Sequence, residues 1–160
     1  MKLIITDTDK FNTKETDIYV VKDNGSIKKC AACYGCWIKT PGQCIIKDGY
    51  DNMAYLWGRS DEVVIISKCI FGCYSPFVKN VLDRSIPYMH ADFVIDENGN
   101  MYHKMRYDNK YKLSVYFYDA DESEKETAKE LVKRNAVNFG AEEYSVNFIS
   151  DPTESEGIEV

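Results

Sequence analysis

The sequence has no Gly-x-Gly-x-x-Gly, no Walker loop and no Gly-x-Ser-x-Gly, so the usual signals of Rossmann dinucleotide folds, NTPases and α/β-hydrolases are absent. Histidine is scarce: His90 and His103 are the two, and neither has metal-ligand spacing. No segment approaches the ~18 consecutive apolar residues of a membrane span. The opening Met-Lys-Leu-Ile-Ile-Thr-Asp has too short an apolar run for a signal peptide and reads as a first strand. Neither an internal repeat nor a low-complexity linker divides the chain, so residues 1–160 are expected to form a single domain. Basic charge is also short. The net charge of −6 argues against nucleic acid or an anionic membrane surface as partner. The acidity is uneven: residues 119–130 hold six acids against two lysines, a solvated helix face, and residues 151–160 hold four acids and no base, a loose tail. A cytoplasmic location is expected, where thiols stay reduced, so the six cysteines point to ligation, redox chemistry or burial before disulfides.

What is present is an alternation of strands and helices. Leu3–Thr6 and Ile18–Val21 are short β-branched runs, and Glu62–Ser67 is nearly continuous Val and Ile, the pattern of a central strand covered on both faces. Lys112–Tyr118 and Tyr144–Ile149 complete five strands. Between them, Asp51–Arg59 is a short helix with Met53, Leu56 and Trp57 on one side. Ser75-Pro76 opens a second helix, serine as N-cap and proline in the first turn, with Phe77, Val78, Val81 and Leu82 as its buried stripe. The third is the best formed: Asp121 and Glu124 make a capping box, Ala128, Leu131, Val132, Ala136 and Phe139 share one face, and Gly140 ends it. This order predicts an α/β domain with a parallel five-stranded sheet and helices on both sides.

Two parts break the rhythm. Only Asp7 to Asp17 join the first two strands, too few for an ordinary crossover helix, so the first helix is short or missing and an antiparallel pairing stays open. Residues 86–110 form an excursion in which Asn98-Gly99 between two β-like runs predicts a hairpin. That arm either covers a site, pairs with another subunit, or packs as a ribbon on its own domain. Twelve tyrosines, without a basic face to suggest base stacking, are expected in core and interface.

The feature richest in chemistry is Cys30, Cys33, Cys36 and Cys44, spaced C-x2-C-x2-C-x7-C. Four soft ligands this close can converge on an iron–sulfur cluster or a zinc ion, or they are plain small residues of a loop. Cys69 and Cys73 lie too far along the chain to be assigned to the same centre.

The run Cys-x-x-Cys-x-Gly-Cys-Trp, followed by Lys-Thr-Pro-Gly-x-Cys, Lys47-Asp48, Ser75-Pro76, Lys79 and Leu82-Asp83-Arg84, resembles the flavodoxin-like NAD(P)H-dependent FMN reductase family. The branch it looks closest to is that of multimeric flavodoxins and iron–sulfur flavoproteins. The resemblance covers Cys30 to Arg84, about a third of the chain. It implies a flavodoxin-like, doubly wound fold with FMN beyond the carboxyl ends of the strands. The phosphate would meet the loop after the first strand, here Thr6, Thr8, Asn12 and Thr13. The isoalloxazine would meet Cys69, Ile70, Phe71, Gly72 and Tyr74. NAD(P)H as reductant, a small-molecule or protein electron acceptor, a homo-oligomer and a [4Fe–4S] cluster on Cys30, Cys33, Cys36 and Cys44 are implied in the same way, and no catalytic side chain is assigned. One departure matters. Family phosphate loops read like Ser-Gly-Ser-Pro-Arg-x-x-Ser-Asn-Thr before a helix, whereas this chain has Thr6-Asp7-Thr8-Asp9-Lys10-Phe11-Asn12-Thr13, with no glycine and two aspartates. Weaker FMN binding is expected, and a flavodoxin-like binding or assembly protein without FMN is the alternative.

Overall fold

A computed structural model of the chain describes residues 1–13 and 16–152. The acidic tail expected over 151–160 therefore lies outside the described residues from position 153 onward. Five parallel strands form the sheet: β1 (Lys2–Thr6), β2 (Ile18–Lys22), β3 (Glu62–Lys68), β4 (Lys112–Tyr118) and β5 (Glu143–Ile149). Their spatial order is β2-β1-β3-β4-β5, that of a flavodoxin-like doubly wound sheet. Helices α1 (Gly35–Ile38) and α2 (Met53–Gly58) precede β3, α3 (Pro76–Arg84) follows it, and α4 (Lys125–Phe139) joins β4 to β5. Among the described residues no helix is long and apolar enough to cross a membrane.

The open question about β2 is settled. Ile18–Lys22 runs parallel to Lys2–Thr6 in register, with no helix described between them. An extended chain covers at most about 3.3–3.6 Å per residue, so eleven residues suffice to walk back along a five-residue strand and step one strand sideways. Helices were expected on both sides; among the described residues α2, α3 and α4 all lie on one, because the link after β1 holds no helix to cover the other. Leu3, Ile5, Val63, Ile65, Leu113, Val115 and Phe117 point to one face and pack with the buried stripes of α2, α3 and α4. Ile4, Val64 and Ile66 point to the other, where Phe11 from the β1–β2 link is the one fully packed partner from outside the sheet among the described residues.

The helix boundaries follow from their caps. Ser75 accepts a hydrogen bond from the Val78 amide at the start of α3. Asp121 and Glu124 form the reciprocal capping box ahead of α4, and Gly140 closes α4 in the left-handed conformation. Tyrosines do fill the core: Tyr50, Tyr74, Tyr88 and Tyr111 are buried, and Trp57 stacks on Phe139 with ring centroids 4.7 Å apart.

The excursion is a hairpin of β6 (Met89–Ile95) and β7 (Met101–Met105), turned at Asn98-Gly99 with Gly99 at φ +81. Asp96 Oδ1 accepts from the Asn98 and Asn100 amides and holds the turn. The hairpin's inner side lies on its own domain: Met105 packs over Gly140, and Met89 O accepts from Trp37 Nε1 at 2.9 Å. Phe93, Ile95 and Met101 stay exposed on the hairpin, Phe93 and Met101 at the rim of the cavity that His103 also lines.

The cysteine-rich segment is fastened to α3 by one residue. Arg84 is fully buried, and its guanidinium pairs with Asp48 through both oxygens at 2.8 and 2.9 Å. It also donates to Lys28 O, Ile46 O and Cys44 Sγ, so three nitrogens serve five acceptor atoms. Burial alone would push the Asp48 carboxyl up. Arg84 and the amides of Lys28 and Tyr50 outweigh it and hold the value down to about 2. Breaking one side strands a buried charge: Arg84→Met should cost about 3–5 kcal/mol in urea unfolding, and adding Asp48→Leu should recover most of that loss. Because the folded Asp48 value lies below the ordinary carboxylate value of 3.8, its stabilisation is complete above that range and lost as pH falls through about 2. Asp48→Asn should flatten that acid-side slope in unfolding measured against pH.

Candidate functional site

In a sheet of this order the chain leaves β1 and β3 in opposite directions, opening a crevice at their carboxyl ends where such folds bind ligands. Three loops meet there: 7–13 after β1, 69–74 after β3 and 119–121 after β4.

The first loop is closed on itself. Thr6 is fully buried, and its hydroxyl accepts from the Thr8 amide at 3.2 Å; the Thr8 hydroxyl accepts from the Lys10 amide at 3.2 Å. Asp7 reaches across the crevice, accepting from the Lys68 amide at 3.0 Å and from the Tyr118 hydroxyl at 3.0 Å. Burial and the adjacent Asp7 both push the Tyr118 hydroxyl up, so it stays a neutral donor. The described lysines around the loop are engaged: Lys10 with Asp151, Lys22 with the carbonyls of Phe11 and Asp9, and Lys68 with Asp119. Asn12 is exposed and Thr13 half-buried on the outer part of the loop.

The second loop is a tight turn. Ile70 and Cys73 exchange backbone hydrogen bonds at 2.9 and 3.0 Å, while Phe71 and Gly72 both have positive φ, +53 and +73. A non-glycine residue in that region costs on the order of 1 kcal/mol or more, and here it presents Phe71 with 88 % of its surface exposed. Gly72 is required by close approach to α4: a Cβ there would lie 2.6 Å from Thr127 Cβ. Cys69 and Tyr74 turn inward. Tyr74 is buried against Phe117 at 5.3 Å, its hydroxyl accepts from Asn135, and burial pushes it up to about 12. Of the ring-contacting residues expected from the sequence, the structure thus gathers Phe71, Gly72 and Ile70 on the turn and places Cys69 and Tyr74 in the core beneath it.

Behind the turn, between α3 and α4 and under the hairpin, lies a cavity of about 310 Å³. Cys73, Tyr74 and Asn135 line one side, and Trp37, Met89 and His103 the other. Trp37 stands 5.5 Å from His103, and His103 stacks on Phe93 at 4.2 Å, a row of rings that brings the cysteine-rich segment and the hairpin together. Trp37 closes the Cys-x-Gly-Cys-Trp run of the family resemblance, and the hairpin is signalled by Asn98-Gly99 and the length of the excursion, but nothing within either segment pairs the two.

The four cysteines of the segment differ in setting. Cys30 and Cys33 are exposed, Cys36 is half-buried and Cys44 is buried, its sulfur accepting from Arg84 Nε at 3.1 Å. Burial, reinforced by the neighbouring Cys44 and Cys30, pushes the Cys36 thiol up. Among the described residues no group of three or more His, Cys, Asp or Glu is placed to hold a metal ion.

No protein-family model matches the chain, and no curated protein is similar to it in sequence. Solved structures are similar in fold. An azoreductase from Bacillus anthracis str. Sterne superposes with a TM-score of 0.59 at 12% identity, covering 96% of this chain and 88% of that one. An NAD(P)H:quinone oxidoreductase from Methanothermobacter marburgensis gives 0.57 at 12% identity over 98% and 93%. A FMN-dependent NADH-azoreductase from Bacillus anthracis str. Ames Ancestor, solved in complex with FMN, gives 0.54 at 12% identity over 98% and 92%. At this identity the likeness establishes the fold: a flavodoxin-like α/β sheet with flanking helices.

FMN divides into a ring and a phosphate, and the residues suit them unequally. The turn offers an exposed aromatic ring and backbone at close approach. The phosphate end does not fit: two carboxylates, no glycine, no helix N-terminus among the described residues, and the Thr8 and Lys10 amides already bonded within the loop. Two expectations follow from this geometry. Gly72→Ala should lower stability by about 2 kcal/mol or more in thermal unfolding, since positive φ and the Thr127 contact both oppose it. In native protein, iodoacetamide should label Cys30 and Cys33 first and leave Cys44 and Cys69 unlabelled until denaturant is added, read by mass spectrometry.

Proposed function

We propose that the chain is a flavin-dependent oxidoreductase of the kind built on the flavodoxin-like sheet, using a nicotinamide nucleotide as reductant. The observation that carries this reading is the Ile70–Cys73 turn at the carboxyl edge of β3. It holds Phe71 in a costly backbone conformation that leaves its ring almost wholly exposed at the carboxyl end of β3. Phe71 would stack on the flavin ring, and the turn's backbone, close to α4 through Gly72, would fix the ring's position. Bound flavin supplies the hydride chemistry. The residues supply binding, orientation and exclusion of water, and none is assigned a proton-transfer role. The aromatic cavity beneath the hairpin suits a flat organic electron acceptor. Association of copies through Phe93, Ile95 and Met101 on the hairpin belongs to the same proposal.

One observation favours a second reading, a binding or assembly protein without flavin: Asp7 ties the first loop to β3 and β4 across the crevice. An iron–sulfur role for Cys30, Cys33, Cys36 and Cys44 draws its support from their spacing alone. The test of the leading reading is reduction of bound flavin. Protein loaded with flavin under anaerobic conditions should lose its absorbance near roughly 450 nm on addition of NADH or NADPH. Flavin that stays oxidised in the presence of both would overturn the oxidoreductase assignment. Phe71→Ala should weaken flavin binding by about tenfold, since stacking on an aromatic is worth on the order of 1 kcal/mol beyond buried area.

A further inference from the structure

The disagreement between the first loop and a phosphate has a constructive side. We infer that the flavin this chain takes is one without the terminal phosphate, an uncharged flavin of the riboflavin class. The inference rests on the flavin reading above and deepens it by naming the ligand's chemistry at the other end of the crevice.

A phosphate monoester carries close to two negative charges near neutral pH and is only an acceptor of hydrogen bonds. To hold it, a loop must present donors or cations. Here several of the donors are already engaged. The Thr8 and Lys10 amides bond to threonine hydroxyls of the same loop, and the Lys68 amide and Tyr118 hydroxyl bond to Asp7. Lys22 is drawn to the carbonyls of Phe11 and Asp9, Lys10 to Asp151 and Lys68 to Asp119. Among the described residues Asp7, bonded to the Lys68 amide and the Tyr118 hydroxyl and in no ion pair, would meet the incoming anion, and no helix follows to offer its amino end.

The same groups suit a sugar alcohol. A ribityl chain ending in a free hydroxyl both donates and accepts. Its O–H groups find acceptors in the carboxylates of Asp7 and Asp9, and the Thr8 hydroxyl and the Asn12 amide can bond in either sense. Carboxylates that repel a phosphate are good acceptors for a hydroxyl, and the hydrogen bond is charge-assisted. The seat is therefore selective by charge, with one arrangement attracting the neutral ligand and opposing the dianion.

Equilibrium binding of riboflavin and of FMN to the wild-type chain, each followed by quenching of flavin fluorescence, tests this directly. Riboflavin should bind about tenfold more tightly or better at low salt, the size expected for a dianion a few ångströms from an uncompensated carboxylate near a protein surface. The gap should shrink at high salt as that repulsion is screened. Asp7→Asn keeps an oxygen for the Lys68 amide, and combined with Asp9→Asn it should raise affinity for FMN by more than it raises affinity for riboflavin. Should the double variant fail to fold by circular dichroism, Asp9→Asn alone, on an exposed residue, is read in the same way. Equal or tighter binding of FMN by the wild-type chain overturns the inference and leaves the flavin reading standing. Failure of both flavins to bind overturns the inference together with the flavin reading.

Discussion

The arrangement of this molecule depends on the Arg84 guanidinium. The segment from Lys28 to Asp48 has little regular structure, a four-residue helix at most, and few buried apolar side chains to anchor it. What fixes it is a cation donating to two main-chain carbonyls, a thiol and both oxygens of Asp48. A buried charge is tolerated only where its donors are satisfied, and here the same residue that needs partners supplies the loop with its fold. Because Arg84 ends α3, the cysteine-rich segment is fastened to that helix. Trp37 thereby comes to rest on the hairpin, and the aromatic cavity acquires its outer wall. The Lys47-Asp48 and Leu82-Asp83-Arg84 elements, which in the sequence look like a family signature, are two halves of this clamp. Asp83 is not part of it; it pairs with Lys79 on the exposed side of α3.

A second constraint comes from the short link between β1 and β2. Removing a crossover helix does not disturb the sheet, because parallel register is held by the strands themselves. It changes the faces. One side of the sheet retains the packing of three helices, while the other relies on Phe11 to cover Ile4, Val64 and Ile66. It changes the electrostatics as well. A helix N-terminus at the switch point would have provided oriented amides and a partial positive charge. Its replacement is a loop whose Thr8 and Lys10 amides bond to Thr6 and Thr8 and whose contact across the crevice is a carboxylate. Loss of the helix and gain of Asp7 act in the same direction on any anion.

Local chemistry was legible in the sequence, and long-range pairing was not. The five strands, the Ser75 cap, the Asp121–Glu124 box, the stop at Gly140 and the Asn98-Gly99 hairpin are each written within a few residues, where period and cap chemistry determine the outcome. The Asp48–Arg84 pair spans 36 positions, and Asp7 meets Lys68 and Tyr118 across 61 and 111. No pattern within a window announces such contacts; an aspartate in a loop looks the same whether it faces water or a strand end. Tyr74 illustrates the opposite difficulty. Its place in an aromatic loop suggests a ring at the crevice, yet it precedes the Ser75 cap by one residue, and the chain's return into α3 turns it onto Phe117. The exposed aromatic is Phe71, three residues earlier, because the double positive φ of the turn points it outward.

That turn joins the structural argument to the functional one. A four-residue connection with Ile70 and Cys73 paired could have been made from Asn-Gly or Gly-Gly at no conformational cost. The sequence places phenylalanine at the first left-handed position and glycine at the second, where α4 leaves no room for a Cβ. Gly72 is thus explained by packing and Phe71 is not: burial recovers none of its cost, since the side chain lies almost wholly in water. Strain without a compensating contact inside the molecule points to a contact outside it. Its position at the carboxyl edge of the central strand, in a fold whose ligands bind along that edge, gives the contact a place. Its ring gives the contact a chemistry, a flat surface to stack upon. In the reading proposed above, Asp7 beside the same crevice is what opposes a charged end on an aromatic ligand.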